Sequence, residues 1–134
     1  MNKDVVAVTE DMPIEQAARI MIENQIGALP VLRGQEVVGI ITESDLFRLF
    51  MELFGAEFEG LRVVVEMSVK PGSMAALSKA VYEAGGDIIA FFGTISDQTR
   101  ESDLVTIKVR GLTRAALEAL IEPLVVGIRD IRAA

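Results

Sequence analysis

The first apolar run, Val5-Val6-Ala7-Val8-Thr9, is short and rich in β-branched residues, and Glu10-Asp11-Met12-Pro13 interrupts it with a proline suited to a first helical turn. Apolar residues then return at helical spacing through Ile14, Ala17, Ala18, Met21 and Ile22, while Glu15, Gln16, Arg19 and Glu23 take the other side. This predicts a strand followed by an amphipathic helix. Ala28–Leu32 and Glu36–Ile41 flank the turn Arg33-Gly34-Gln35 and read as a β-hairpin. Pro30 offers no ladder donor and is expected at a strand edge or opening. Thr42-Glu43-Ser44-Asp45 starts a second helix, with Thr42 as cap and Asp45 as the answering partner of a capping box. That helix runs through Phe54, and Leu46, Phe47, Leu49, Phe50, Met51, Leu53 and Phe54 wrap most of its circumference. Burying a large apolar side chain is worth roughly 1.5–3 kcal/mol. Phe47, Met51 and Phe54 are therefore expected to meet another domain or another subunit.

Gly55-Ala56-Glu57-Phe58-Glu59-Gly60 is short, acidic and bounded by glycines, and marks the best boundary in the chain. It predicts a first module over residues 1–55, a linker over 56–60 and a second domain over 61–134. In the second domain Val63, Val65, Met67 and Val69 alternate with Arg62, Glu66 and Ser68, the period of a half-buried strand. Lys70-Pro71-Gly72-Ser73 leads into a helix from about Met74 to Ala84, stopped by Gly85-Gly86. A strand over Asp87–Ser96, a polar turn over Asp97–Ser102 and a strand over Leu104–Arg110 follow. Thr113 then caps a short helix that ends at Pro123, before a last strand from Leu124 to Ile131. The fold class is α/β of the α+β kind: β-α-β-β-α followed by a ferredoxin-like β-α-β-β-α-β domain.

Composition narrows the chemistry. The chain has 134 residues, 51% apolar and 25% charged, with twenty acidic against thirteen basic residues and a net charge of -7. No cluster of Lys and Arg is present to follow a phosphate backbone, which disfavours nucleic acid. Without cysteine or histidine there is no thiolate, no zinc-thiolate site and no imidazole base. The acidic pairs Glu10-Asp11 and Glu57 with Glu59 lie in polar turns and read as solvated, and nothing beside Lys70 argues for a desolvated amine. The chain is read as no enzyme, with no catalytic residue, no metal and no required cofactor. Mean hydropathy is +0.40, yet no apolar run approaches the roughly 18–20 residues of a membrane span. The polar start Met1-Asn2-Lys3-Asp4 resembles no signal peptide, and a cytoplasmic location is expected.

Ile26-Gly27-Ala28-Leu29-Pro30-Val31 and Gly39-Ile40-Ile41-Thr42-Glu43-Ser44-Asp45, in the order strand, helix, two strands, helix, resemble one CBS motif over residues 4–54. In that family motifs pair, and the clefts between them bind adenosine-containing ligands such as AMP, ATP or S-adenosylmethionine. The resemblance implies an adenosyl site at Val6, Ile26, Gly27, Ala28, Pro30, Thr42, Ser44 and Asp45. Here the helix N-terminus and two hydroxyls would meet phosphate, Asp45 the ribose, and Val6, Ile26, Ala28 and Pro30 the adenine. The alternative is that Thr42 and Asp45 only cap their helix and Pro30 only shapes an edge. One visible motif implies either a fragment lacking its partner or a half that pairs between subunits.

Val65-Glu66-Met67-Ser68-Val69-Lys70-Pro71-Gly72-Ser73-Met74 and Gly85-Gly86-Asp87-Ile88 resemble an ACT domain, a regulatory fold that often binds amino acids at dimer interfaces. The resemblance implies an amino-acid site at Lys70, Pro71, Gly72, Ser73, Asp87 and Ile88, with Lys70 and Asp87 standing where the family often has Asp or Asn. The combination is similar to acetoin-utilisation-type CBS-ACT regulatory proteins. It implies a non-catalytic ligand-sensing module, with a small-molecule effector and a homodimer formed through Phe47, Met51 and Phe54. The alternative is a constitutive oligomerisation module without ligand.

Overall fold

The computed structural model describes residues 6–93 and 101–134. It is a mixed α/β structure with two separate sheets, and the chain divides into two compact units, Met1–Phe50 and Met51–Ala134. The terminal segment 1–5 and the expected strand end and turn at Ile95, Ser96 and Asp97–Arg100 lie outside the described residues.

In the first unit β1 (Val8–Thr9) runs parallel to β2 (Ala28–Arg33), which pairs antiparallel with β3 (Glu36–Thr42). Among the described residues the regular strand is limited to Val8 and Thr9, with register partners Val31 and Leu32, so Val6 and Ala7 of the β-branched run stay outside the ladder. That shortness also explains Pro30. The proline lies in the central strand, opposite Ile40, but one residue before the β1 pairing begins, so it occupies a locally open edge. Helix α1 (Ile14–Asn24) follows Pro13 and ends at Gln25 in the left-handed region, where the N–H groups of Gln25 and Ile26 return to the carbonyls of Ile22 and Met21. Val8, Ala17, Met21 and Leu29 form a small buried core, against which Val6, Ile26, Ile41 and Leu46 pack. Helix α2 (Glu43–Leu53) starts directly from β3.

In the second unit β4 (Leu61–Ser68), β5 (Asp87–Gly93), β6 (Ser102–Arg110) and β7 (Gly127–Ala133) form one antiparallel sheet in the order β5-β6-β4-β7. With α3 (Ser73–Glu83) and α4 (Arg114–Ile121), this is the β-α-β-β-α-β plan read from the sequence. Period-two alternation sends Val63, Val65 and Met67 into the core with Val105, Ile107, Val109, Leu77, Leu117 and Ile121. Thr113 caps α4 by accepting the N–H of Ala116 at 3.1 Å. The last strand begins at Gly127 rather than Leu124. Pro123 needs no backbone donor, so the chain tightens there into a 3-10 turn over Glu122–Leu124 instead of turning directly into a strand.

Candidate functional site

The β3–α2 junction is a fully bonded polar corner of the first unit. Thr42 donates its backbone N–H and its hydroxyl to Asp45 Oδ2, both at 2.9 Å, and Thr42 Oγ1 accepts the Asp45 N–H at 3.2 Å. This is a complete capping box. The Thr42 backbone N–H, then its hydroxyl, holds the Asp45 carboxyl below the usual carboxylate range, and Arg48 adds to the effect. Asp45 Oδ1 faces Arg48 Nη1 at 3.7 Å. The Glu43 N–H donates to the Gly27 carbonyl at 3.1 Å, and Ala28 is the cross-strand partner of Thr42. Register thus brings Gly27, Ala28, Thr42 and Asp45 to one corner, with Ser44 exposed on the first turn of α2. Pro30 lies two residues along β2, half-buried. Val6 and Ile26 are elsewhere: both pack against the small core. Ile26 also lines a 310 Å³ apolar cavity between α1 and α2 with Met21, Ile22, Leu46 and Phe47.

The expected interface residues separate. Phe47 is 69% and Met51 55% exposed. Phe54 is half-buried and stacks on Phe92 of β5, ring centroids 3.7 Å apart and planes within 10°. β3 is exposed along most of its length, Val37 at 63% and Ile40 at 62%.

In the second unit the Lys70–Ser73 turn opens α3. Gly72 has φ +93, which only glycine adopts without strain, and Ser73 Oγ donates to the Lys70 carbonyl at 2.9 Å. Pro71 is exposed beside it. Lys70 borders a 430 Å³ cavity with Ser68, Val69, Glu101, Ser102 and Val126. Asp87 does not share this place. It is paired in register with Arg110, whose Nη2 donates to it at 3.2 Å. Arg110 adjoins the Leu61 end of the sheet, whereas Lys70 follows the Ser68 end. Ile88 packs against the core. Within one chain the six expected amino-acid residues therefore occupy two opposite sheet ends.

Of the acidic turn residues, Glu10 and Asp11 are engaged in the fold. Arg33 donates to both oxygens of Glu10, at 2.7 and 2.8 Å, and this holds the Glu10 carboxyl low and the Arg33 guanidinium high. Thr9 Oγ1 donates to Asp11 at 2.6 Å and lowers that carboxyl. Among the described residues no group of three or more carboxylates could hold a metal ion. Two polar arrangements escaped the sequence reading. Glu66 accepts from Ser102 at 2.9 Å and from Arg129 at 2.8 Å. Lys108, 4% exposed, donates to the Gly55 carbonyl at 2.9 Å. Its only sequence signal is a cation inside the apolar run Leu104–Val109.

Comparison with known proteins bears on the first of these units. Residues 1–52 match the family model of the CBS domain. CBS domains are in general regulatory ligand-binding modules, and they commonly dimerise. An uncharacterised protein of Methanocaldococcus jannaschii is 34% identical over 74 residues, 54% of this chain and 34% of that protein. A homoserine O-acetyltransferase of Methanohalobium evestigatum is 43% identical over 53 residues, 39% of this chain and 11% of the enzyme. An inosine-5'-monophosphate dehydrogenase of Korarchaeum cryptofilum is 40% identical over 45 residues, 34% of this chain and 10% of the enzyme. The chain spans between 10% and 34% of the length of these three relatives. Among the described residues no helix is long and apolar enough to cross a membrane.

Proposed function

We propose that this chain is a non-catalytic ligand-sensing module. Its CBS domain takes an adenosine-containing ligand such as AMP, ATP or S-adenosylmethionine. Its second unit, an ACT-like domain in the manner of acetoin-utilisation-type regulators, takes an amino acid, and the assembly is a cytoplasmic homodimer. The observation that carries this reading is the Thr42–Asp45 corner. One carboxylate oxygen is fixed by two bonds from Thr42, so the other is held in a set direction beside a helix N-terminus. A ribose diol needs such an acceptor, and the first-turn hydroxyl of Ser44 adds a donor. The same kind of segment recurs in two relatives whose names describe different reactions, which suits a portable regulator better than a catalyst. For the second unit, the sheet order β5-β6-β4-β7 and the glycine at the start of α3 support the ACT-like reading.

A second reading, constitutive oligomerisation without ligand, is favoured by the open apolar surface of Phe47 and Met51 and by the fact that the capping box explains Thr42 and Asp45 without any ligand. A thermal-shift panel of AMP, ADP, ATP, NAD, S-adenosylmethionine and the common amino acids separates the two. A ligand at 100 times its Kd adds about 2.7 kcal/mol to the folded state. We expect a shift of several degrees with an adenosyl compound. Asp45→Ala, still folded by circular dichroism, should then bind about tenfold more weakly or worse. Equal affinity in that variant removes Asp45 from the site, and no shift with any compound favours the oligomerisation module.

A further inference from the structure

Residues 54–60, which contain the stretch 56–60 that the sequence marks as a linker, are tied to the second sheet and its C-terminal end at three points. Helix α2 ends in a Schellman arrangement: the Gly55 N–H returns to the Glu52 carbonyl and the Ala56 N–H to that of Met51, with Gly55 at φ +67. Phe54 stacks on Phe92. The Gly55 carbonyl accepts both the Phe58 N–H at 3.1 Å and the Lys108 ammonium at 2.9 Å. Gly60 exchanges two backbone bonds with Ala134, at 3.2 and 3.0 Å.

The glycines are required by closeness. A Cβ on Gly55 would sit 2.9 Å from the Ala90 Cβ, and one on Gly60 would sit 2.9 Å from the Val109 carbonyl oxygen and 3.3 Å from Lys108 Cγ. The chain therefore lies directly on β5 and β6, over the stem of Lys108. That lysine is a costly choice for a position 4% exposed. Among the described residues no carboxylate forms an ion pair with it. Its acceptor is a carbonyl just past the C-terminal end of α2, where the helix dipole adds negative potential. A methionine or leucine would fill the same space without the desolvation.

We propose that Phe54–Gly60 is a strap that opens and closes as one unit on the second sheet, with Lys108 as its bolt. Opening frees the last turn of α2 and uncovers Phe92; closure fixes that turn to β5 and β6. Hydrogen exchange read residue by residue on the whole chain tests this. In the unsubstituted protein the amides of Gly55, Ala56, Phe58 and Gly60 should share one protection factor, lower than those of Val65 and Ile107. Four unrelated values would overturn the unit. In Lys108→Met the four should exchange about tenfold faster or more, while the β4 and β6 amides keep or gain protection. Unchanged strap amides, or acceleration in step with the sheet, would show that Lys108 is no bolt. Gly55→Ala acts from the other side of the contact and should accelerate the same four amides together; acceleration confined to Gly55 and Ala56 would refute a strap that moves as one.

Discussion

Leu29→Ala examines how much stability the CBS domain carries by itself. Leu29 is fully buried, and among the described residues it is one of four buried in the core of the first unit, with Val8, Ala17 and Met21. Buried Leu→Ala changes cost about 2.7–5.0 kcal/mol where the site cannot collapse, and a two-residue β1 and a small core leave little to collapse. A domain of about fifty residues has of the order of 2.5–7.5 kcal/mol in total. The substitution is therefore expected to unfold a large fraction of the first unit at neutral pH without denaturant. The second unit has eleven of its described residues in its buried core and should stay folded. The assay is an amide correlation spectrum, which reports each unit separately; fluorescence cannot, since the chain has no tryptophan and its single tyrosine is Tyr82 of α3. Loss of dispersion for residues 6–50, with β4–β7 resonances retained, is the expected result. Retention of both sets, with an unchanged urea midpoint, would refute the reasoning. The variant also serves as a sensitised reporter: a ligand of the CBS domain at 100 times its Kd restores about 2.7 kcal/mol, enough to refold much of the population.

Acid should weaken the fold through identifiable groups. Glu10, Asp11, Asp45 and Asp130 all have carboxyls held below their ordinary values, by Arg33, Thr9, Thr42 and Arg132 respectively. Each stabilises the folded state fully above the unfolded carboxylate pKa of about 4, and the contribution is lost as pH falls through the depressed folded value. Urea midpoints should fall below about pH 4, less steeply in Asp45→Asn; a curve that does not fall there contradicts these assignments. The proposed homodimer is checked by light scattering, where the unsubstituted chain at micromolar concentration should weigh twice the monomer and Phe47→Asp should weigh one. A monomeric unsubstituted chain would end the reading of the Phe47 surface as an interface.

Local signals carried far in this chain. The spacing of Ala17 and Met21, the glycine in the Arg33-Gly34-Gln35 turn, the Thr42–Asp45 capping box and the alternation of Val63, Val65 and Met67 each state their own structure, because each depends on residues a few positions apart. What was not legible depends on distant partners. Phe54 pointed to an open interface because its apolar neighbours did, and Phe92 lies far along the chain. Asp87 stood near the Lys70 turn in a family pattern, but strand register sends it to the opposite end of the sheet. The charge of Lys108 has its reason in the Gly55 carbonyl, fifty-three residues away in sequence. Pro123 marks a helix end in the sequence, and proline equally suits the tightened turn that follows.

β3 has a further consequence for how the protein behaves in bulk. Among the described residues it is an edge strand, exposed along most of its length, whose sequence Glu36-Val37-Val38-Gly39-Ile40-Ile41-Thr42 has a single charge and neither proline nor lysine to discourage pairing with a foreign strand. Its protection is collective: with net charge -7, copies repel one another before their edges meet. That protection is colloidal rather than structural. It weakens with added salt and vanishes near the isoelectric point of about 4.6, where protonation of part of the carboxylates cancels the net charge. Concentrated, saline or acidic samples will therefore lose material by strand-edge aggregation before the second unit's fold is strained at all.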